Sequence, residues 1–213
     1  MLVAANDTCL RSGRGEKALM SGLLMRLNVT TRHWHADVDA PWLDLLRPTV
    51  SRADYLAQLV RTYGLVAPFE SACKYTPRVE RSFDLRQLSR AGLIAQDLLA
   101  LGLTAAQVAR IPQCHAIITF KDVAEAAGWL YVIERSTLLQ NGIRRHLLAR
   151  LPEVNDAFAY LATYDSGVGD HWMSFARMLD EIGEKPETAT EMMDAARAGF
   201  VCVKQWFHSA ESA

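Results

Sequence analysis

The stretch LMRLNVTTRHWHADVDAPW, residues 24–42, contains two histidines separated by one residue, each followed four positions later by an aspartate. With a helical period of roughly 100° per residue, one apolar stripe runs along this stretch. It is formed by Leu24, Leu27, Thr31, Trp34, Val38 and Trp42. His35 falls within that stripe, whereas His33 points away from it. The period therefore predicts that His33 and Asp37 form a solvated pair and that His35 faces the protein interior.

The composition predicts one globular domain. The chain has 213 residues, of which 50% are hydrophobic and 22% charged, and this is enough apolar material for one sizeable core. A formal net charge of −1 gives no general attraction for nucleic acid or for an anionic membrane surface. No apolar run approaches the roughly 18 residues of a membrane span.

The cysteines and the N-terminus indicate the cellular compartment in which the protein is expected. The four cysteines are scattered and contain no C-x-x-C: Cys9, Cys73, Cys114 and Cys202. Such a pattern fits free thiols in a reducing environment. The first residues lack the basic start and long apolar segment of a signal peptide. We therefore expect a soluble, cytoplasmic protein.

Helical periodicity runs through nearly the whole chain, and strand signals are almost absent. Proline, glycine and capping residues divide the pattern into predicted helices at about 17–39, 51–73, 85–101, 104–111, 120–151, 153–164, 167–183 and 188–209. Ser51 and Thr104 are the predicted N-caps of the second and fourth helices. The predicted fold class is all-α, with residues 17–213 in a single helical domain and residues 1–16 as an N-terminal extension.

Sequence motifs exclude several chemistries and leave His35. There is no H-E-x-x-H, no Glu-x-x-His pair, no P-loop, no G-x-S-x-G and no G-x-G-x-x-G. A histidine on an apolar face is ordinarily a core residue whose ring bonds to a carbonyl or to Asp39. The alternative is an axial metal ligand, whose second N–H is held by a carboxylate such as Asp39.

Three stretches together resemble the bacterial, biliverdin-producing heme oxygenase family. Arg26-Leu27 followed by Thr31-Arg32-His33-Trp34-His35 and Asp39 is similar to the opening motif of that family, L-R-x-x-T-R-x-x-H…(D/E). GWLYVIERSTLLQNGIRRHL, residues 128–147, resembles its distal helix, G-x-x-Y-V-L-E-G-S-T-L-G-G…R-H-L. YDSGVGDHWMSFARMLD, residues 164–180, resembles its Y-G…W-x-x-F-x-x-x-L segment. The similarity runs in family order from residue 23 to residue 209.

This resemblance implies a compact heme-oxygenase-like helical bundle. His35 takes the position of the proximal heme ligand, with Asp39 close by, and helix 128–147 covers the opposite, distal face. Lys17, Arg26 and Lys204 become candidate partners of the heme carboxylates. Members of the family cleave heme with O₂ and electrons from a ferredoxin or reductase, and release biliverdin, Fe²⁺ and CO. The leading expectation is therefore heme binding and ring cleavage.

The distal stretch departs from the family pattern at the positions that would lie over the heme. Arg135 replaces a glycine beside the retained Ser136, and Leu139 and Gln140 replace a Gly-Gly pair. Arg135 and Leu139 are i and i+4 neighbours, so their side chains are expected on one face, where glycine would admit the porphyrin. Arg135 is expected to lie at the rim or to pair with a carboxylate, Glu134 or Asp97. The alternative functions are a heme- or tetrapyrrole-binding or regulatory protein without catalysis, or a structural interaction module.

Overall fold

The structure, a computed structural model, describes residues 22–87, 89–164 and 167–208. Over these ranges the chain is all-α, as predicted. Its helices are α1 (Leu23–Leu43), α2 (Arg52–Tyr75), α3 (Ala91–Ala100), α4 (Ala105–Val108), α5 (Val123–Arg135), α6 (Thr137–Arg150), α7 (Val168–Ile182) and α8 (Pro186–His208), with 3₁₀ turns at Asp44–Leu46, Val79–Arg81 and Pro152–Val154. The predicted N-terminal extension and the start of the first predicted helix lie outside the described residues. None of the described helices is long and apolar enough to cross a membrane.

Local capping signals predict two helix starts correctly. The Ser51 hydroxyl accepts the Asp54 backbone N–H at 3.2 Å, and the Asp54 carboxylate accepts the Ser51 backbone N–H at 2.8 Å. Thr104 and Gln107 form the same reciprocal pair at the start of α4. Both capping boxes satisfy backbone donors that a helix end leaves unpaired. α1 extends beyond its predicted end, because Pro41 is accommodated within its last turn.

α5 and α8 form the most extensive helix pair of the fold. Gly128 allows their close approach, since a Cβ atom there would lie 2.3 Å from the Met192 carbonyl oxygen and 2.8 Å from the Ala195 Cβ. α1 packs mainly on α8, and less extensively on α7 and α6. It thereby faces α5 and α6 across a space that we call the seam.

The helix predicted over 120–151 is interrupted, and the structure resolves it into α5 and α6 with a break at Ser136. The Ser136 hydroxyl donates to the Ile133 carbonyl at 2.8 Å, and the Thr137 hydroxyl donates to the Glu134 carbonyl at 2.6 Å. Two neighbouring hydroxyls thus engage carbonyls of the last turn of α5. Side-chain bonds of this kind compete with the regular backbone ladder and bend helices.

Two further predicted helices are shortened or absent, because distant carboxylates bind the backbone. The helix predicted over 85–101 begins only at Ala91, whose backbone N–H donates to Glu70 Oε1 at 2.8 Å. The helix predicted over 153–164 is a 3₁₀ turn followed by irregular turns. There the Asp97 carboxylate accepts the backbone N–H groups of Ala159 and Tyr160 at 2.7 and 2.9 Å.

Candidate functional site

α1 directs its two histidines to opposite sides. His35 is half-buried and His33 is exposed, as the helical period predicts. The predicted pairing of His33 with Asp37 is wrong, because Asp37 forms an ion pair with Lys204 of α8, with an N–O distance of 2.7 Å. The ring of His33 instead lies against that of Trp34, with a centroid distance of 3.6 Å.

The imidazole of His35 is held by its own helix. Its Nε2 lies 3.0 Å from the hydroxyl oxygen of Thr31, and that hydroxyl donates to the Leu27 carbonyl at 2.7 Å. Since the hydroxyl proton is engaged, Nε2 carries the proton and donates to Thr31. The Phe200 ring of α8 packs beside the imidazole, with a centroid distance of 5.3 Å. Thr31, and not the predicted Asp39, orients this histidine.

Burial and a neighbouring cation keep His35 neutral. Desolvation, followed by the positive charge of Arg135, lowers the pKa of His35 to about 4, while the Asp39 carboxylate acts in the opposite direction. At neutral pH the ring is therefore uncharged. A neutral imidazole is the form that ligates metals.

An ion pair crosses the seam beside His35. The Arg135 guanidinium, at the end of α5, donates to the Asp39 carboxylate of α1. Both side chains are largely buried, with 15% and 12% of their surfaces exposed. The prediction that Arg135 pairs with a carboxylate is correct, but the named partners, Glu134 and Asp97, are wrong. Consecutive residues of a helix point about 100° apart, so Arg135 faces α1 while Glu134 faces away from it.

The seam contains two separate cavities. The larger, of about 260 Å³, is lined mainly by apolar side chains from four helices, among them Leu24, Tyr131, Leu138 and Trp172, and by Arg135. The smaller, of about 30 Å³, is lined by residues further along α1 and on the opposite side of α5, including Val38, Trp42, Ser136 and Tyr160. His35 lines neither cavity; on α1 it lies between Asn28, which lines the larger cavity, and Val38, which lines the smaller one. Arg135, which pairs with Asp39, is the charged residue that lines the larger cavity.

The distal substitutions do not share one face, contrary to prediction. Leu138 is half exposed and lines the larger cavity with Arg135, whereas Leu139 is partly buried against the core. Gln140 is buried and faces the Tyr160 hydroxyl. The break at Ser136 lies between Arg135 and Leu139. Gly142 does not admit a close neighbour either, since a Cβ atom there would meet nothing within 4 Å.

The two candidate cations that the structure describes are not gathered at the seam. Arg26 is exposed on α1, and Lys204 is engaged with Asp37. Lys17 lies outside the described residues. Among the described residues, no group of three or more His, Cys, Asp or Glu side chains is arranged to hold a metal ion.

A buried polar network supports the other side of α5, and sequence analysis did not single it out. Glu134 is 1% exposed and accepts hydrogen bonds from Tyr164 Oη at 3.1 Å and His171 Nε2 at 2.8 Å. The guanidinium of Arg90 lies 3.5 Å from the same carboxylate and also donates to Tyr164. Burial, and then the Glu134 charge, raise the pKa of Tyr164. The sequence feature that could have revealed this network is Glu134 itself, an acidic residue directly after the apolar run of residues 126–133.

Comparison with known proteins shows which protein family the chain matches. The family model described as heme oxygenase matches residues 21–209, which is most of the chain. No curated protein matches the chain.

Proposed function

Because the chain belongs to the heme oxygenase family, we propose that it binds heme in the seam through His35 and opens the porphyrin ring slowly or not at all. The observation that carries the proposal is the Arg135–Asp39 ion pair, which crosses the seam next to the candidate ligand. Family membership supports heme as the ligand. The ion pair favours the binding role over efficient catalysis.

The donor chemistry of the seam fits heme. His35 is neutral because its pKa is lowered to about 4. The Phe200 ring packs against one side of the imidazole. The larger cavity is apolar and contains the aromatic side chains of Tyr131 and Trp172, which suits a flat, mostly apolar molecule. Because Nε2 donates to Thr31, His35 would hold the iron through its other ring nitrogen, Nδ1. Arg26, Lys17 and Lys204 are the candidate partners of the carboxylates.

The space fits heme only after a rearrangement. A cavity of about 260 Å³ is smaller than most pockets for drug-sized ligands, which span about 300–1,000 Å³. His35 does not line this cavity, and Arg135 does, so we infer that Arg135 must leave Asp39 before the cavity can extend to the imidazole. Separating a largely buried ion pair exposes both charges to a site that solvates them poorly, and this opposes binding.

Bound heme would supply the iron chemistry that the family performs with O₂ and electrons from a ferredoxin or reductase. The protein residues contribute in other ways. Thr31 fixes the orientation of the His35 ring, and Arg135 holds a positive charge and a long side chain where the family pattern has glycine. We infer that this side chain restricts access to the distal side of the ligand, which makes ring cleavage slow.

Titration with hemin tests the binding. The chain is expected to give a one-to-one Soret band that His35→Ala abolishes and that the matched control His33→Ala retains. Equal effects of the two substitutions would contradict the assignment of His35. Biliverdin formation with ascorbate or a reductase then tests the catalytic part of the proposal. Rapid, complete conversion by the unmodified chain would establish a working heme oxygenase and overturn the slow-turnover role.

A further inference from the structure

Two cysteines far apart in sequence meet in the fold. The sulfur atoms of Cys114 and Cys202 lie 3.6 Å apart, although 88 positions separate the residues. Cys202 lies on α8, and Cys114 lies in the irregular segment between α4 and α5. Both are free thiols in this structure. A disulfide bond is about 2.05 Å long, so the sulfur atoms need to approach by about 1.5 Å.

The surroundings give the two thiols different access. Cys114 is 4% exposed, and its backbone is fixed because its N–H donates to the Gly64 carbonyl at 2.8 Å. Cys202 is partly exposed. A small oxidant in solution therefore reaches Cys202 first, and Cys114 is already in place beside it.

We propose that Cys114 and Cys202 form a reversible disulfide when the protein meets hydrogen peroxide. The Cys202 thiolate attacks one peroxide oxygen, which gives a sulfenic acid and, after protonation of the leaving hydroxide, one water molecule. The Cys114 sulfur then attacks the Cys202 sulfur, the S–O bond breaks, and a second water molecule leaves. Two thiols lose two electrons and two protons in total, and one peroxide molecule is reduced to two water molecules.

The reaction is expected to be slow at neutral pH. Burial, followed by the proximity of Cys114, raises the pKa of Cys202 to about 12, and the thiolate is the reactive form. Below the pKa, the thiolate fraction grows tenfold with each pH unit. The rate of disulfide formation should therefore rise about tenfold from pH 7 to pH 8 and about tenfold again to pH 9.

The disulfide would fasten the segment before α5 to the helix that supports His35. Phe200, two residues before Cys202, contacts the His35 ring. Linking residues so distant in sequence restricts the unfolded chain strongly, so the midpoint of thermal unfolding should rise by about 5–10 °C. This effect does not depend on heme binding, so its absence would leave the proposed function unaffected.

Peptide mass spectrometry tests the inference on the full chain with Cys9→Ser, so that the thiols of the described residues are followed. After treatment with hydrogen peroxide at pH 9 and blocking of free thiols, we expect a linked peptide joining residues 114 and 202. Dithiothreitol should reverse it. Cys73→Ser should retain the link, because Cys73 is a separate buried thiol, and Cys202→Ser should lose both the link and the rise in unfolding midpoint.

A second variant keeps the test informative if Cys202→Ser folds poorly. In Cys114→Ser, the sulfenic acid has no resolving thiol and should be trapped on Cys202 by dimedone. Oxidation of Cys202 to a sulfinic acid without any link in the Cys9→Ser chain would overturn the proposal. A link between Cys73 and Cys202, or between two molecules only, would do the same.

Discussion

Glu134 and Arg135 are consecutive residues at the end of α5, and they enter two very different charge clusters. Glu134 is enclosed by Arg90, Tyr164 and His171 on the side away from α1. Arg135 reaches across the seam to Asp39. The first cluster fixes the position of the helix, whereas the second occupies the space beside the candidate ligand. In the sequence resemblance described above, the glutamate matches the family motif and the arginine departs from it.

The largest expected effect comes from breaking the Glu134 cluster. Glu134→Gln keeps the volume but leaves the Arg90 charge buried without its counter-ion, which should lower the free energy of unfolding by about 3 kcal/mol. Urea denaturation measures the change. The matched variant with Glu134→Leu and Arg90→Met removes both charges and should lose less. A loss below about 1 kcal/mol for Glu134→Gln would contradict the structural role of the network.

The second expected effect concerns the cluster at Arg135. Replacing Arg135 and Leu139 together by glycine should increase hemin affinity about tenfold, or 1.4 kcal/mol, and raise the rate of biliverdin formation. Most of the gain should come from Arg135, because Leu139 packs against the core rather than lining the larger cavity. Spectroscopic hemin titration and single-turnover assays provide the measurements.

Two single variants separate charge from bulk at the seam. Asp39→Asn breaks the ion pair and keeps the arginine, while Arg135→Met removes the charge and keeps most of the volume. If Arg135→Gly and Arg135→Met bind hemin equally well, the charge rather than the size of Arg135 limits the site. Weaker hemin binding by Arg135→Gly alone would show that Arg135 assists the ligand instead.

A smaller effect follows from the neutral state of His35. Its folded-state pKa of about 4 lies below the ordinary value of 6.5, so the unfolded chain binds the proton more readily. The free energy of unfolding should fall as pH decreases from 6.5 towards 4, by about 1 kcal/mol once solvent screening is included. Denaturation curves at pH 7 and pH 5 measure this slope. His35→Ala should flatten it, and His33→Ala should not.

The smallest effect is expected at the exposed Asp37–Lys204 pair. Both side chains are more than 40% exposed, and such pairs contribute little to stability. Lys204→Ala should leave the unfolding midpoint unchanged. If Lys204 meets a heme carboxylate, the same variant should weaken hemin binding and reduce its dependence on salt concentration. An unchanged hemin affinity at low salt would remove Lys204 from the candidate cations.

Sequence analysis correctly predicted several features that depend on near neighbours, although the His33–Asp37 pair was not one of them. The Ser51–Asp54 and Thr104–Gln107 caps are spaced three residues apart, and the phase of α1 separates His35 from His33 within a single turn. Apolar periodicity and the three family motifs were sufficient for the all-α fold and its family.

The remaining features depend on contacts that no local pattern contains. Glu70 determines where α3 begins from 21 positions away, and Asp97 binds a turn 62 positions away. The partner of Arg135 lies 96 positions away. The break at Ser136 was local in origin, but two hydroxyl groups that each bond a carbonyl do not interrupt a hydrophobic pattern, so periodicity alone did not reveal it.

The joint at Ser136 has a mechanical consequence for the seam. α6 has 14 residues and is about 21 Å long at 1.5 Å per residue, so a bend of about 10° at the joint would displace its far end by about 3.6 Å. Leu138, only two residues beyond the joint, would move by about 0.5 Å on the same lever arm. Tilting α6 therefore changes the far end of the bundle and leaves the surroundings of His35 almost unchanged. Room for a ligand there depends on rotation of the Arg135 side chain, whose own helix is anchored on α8 at Gly128.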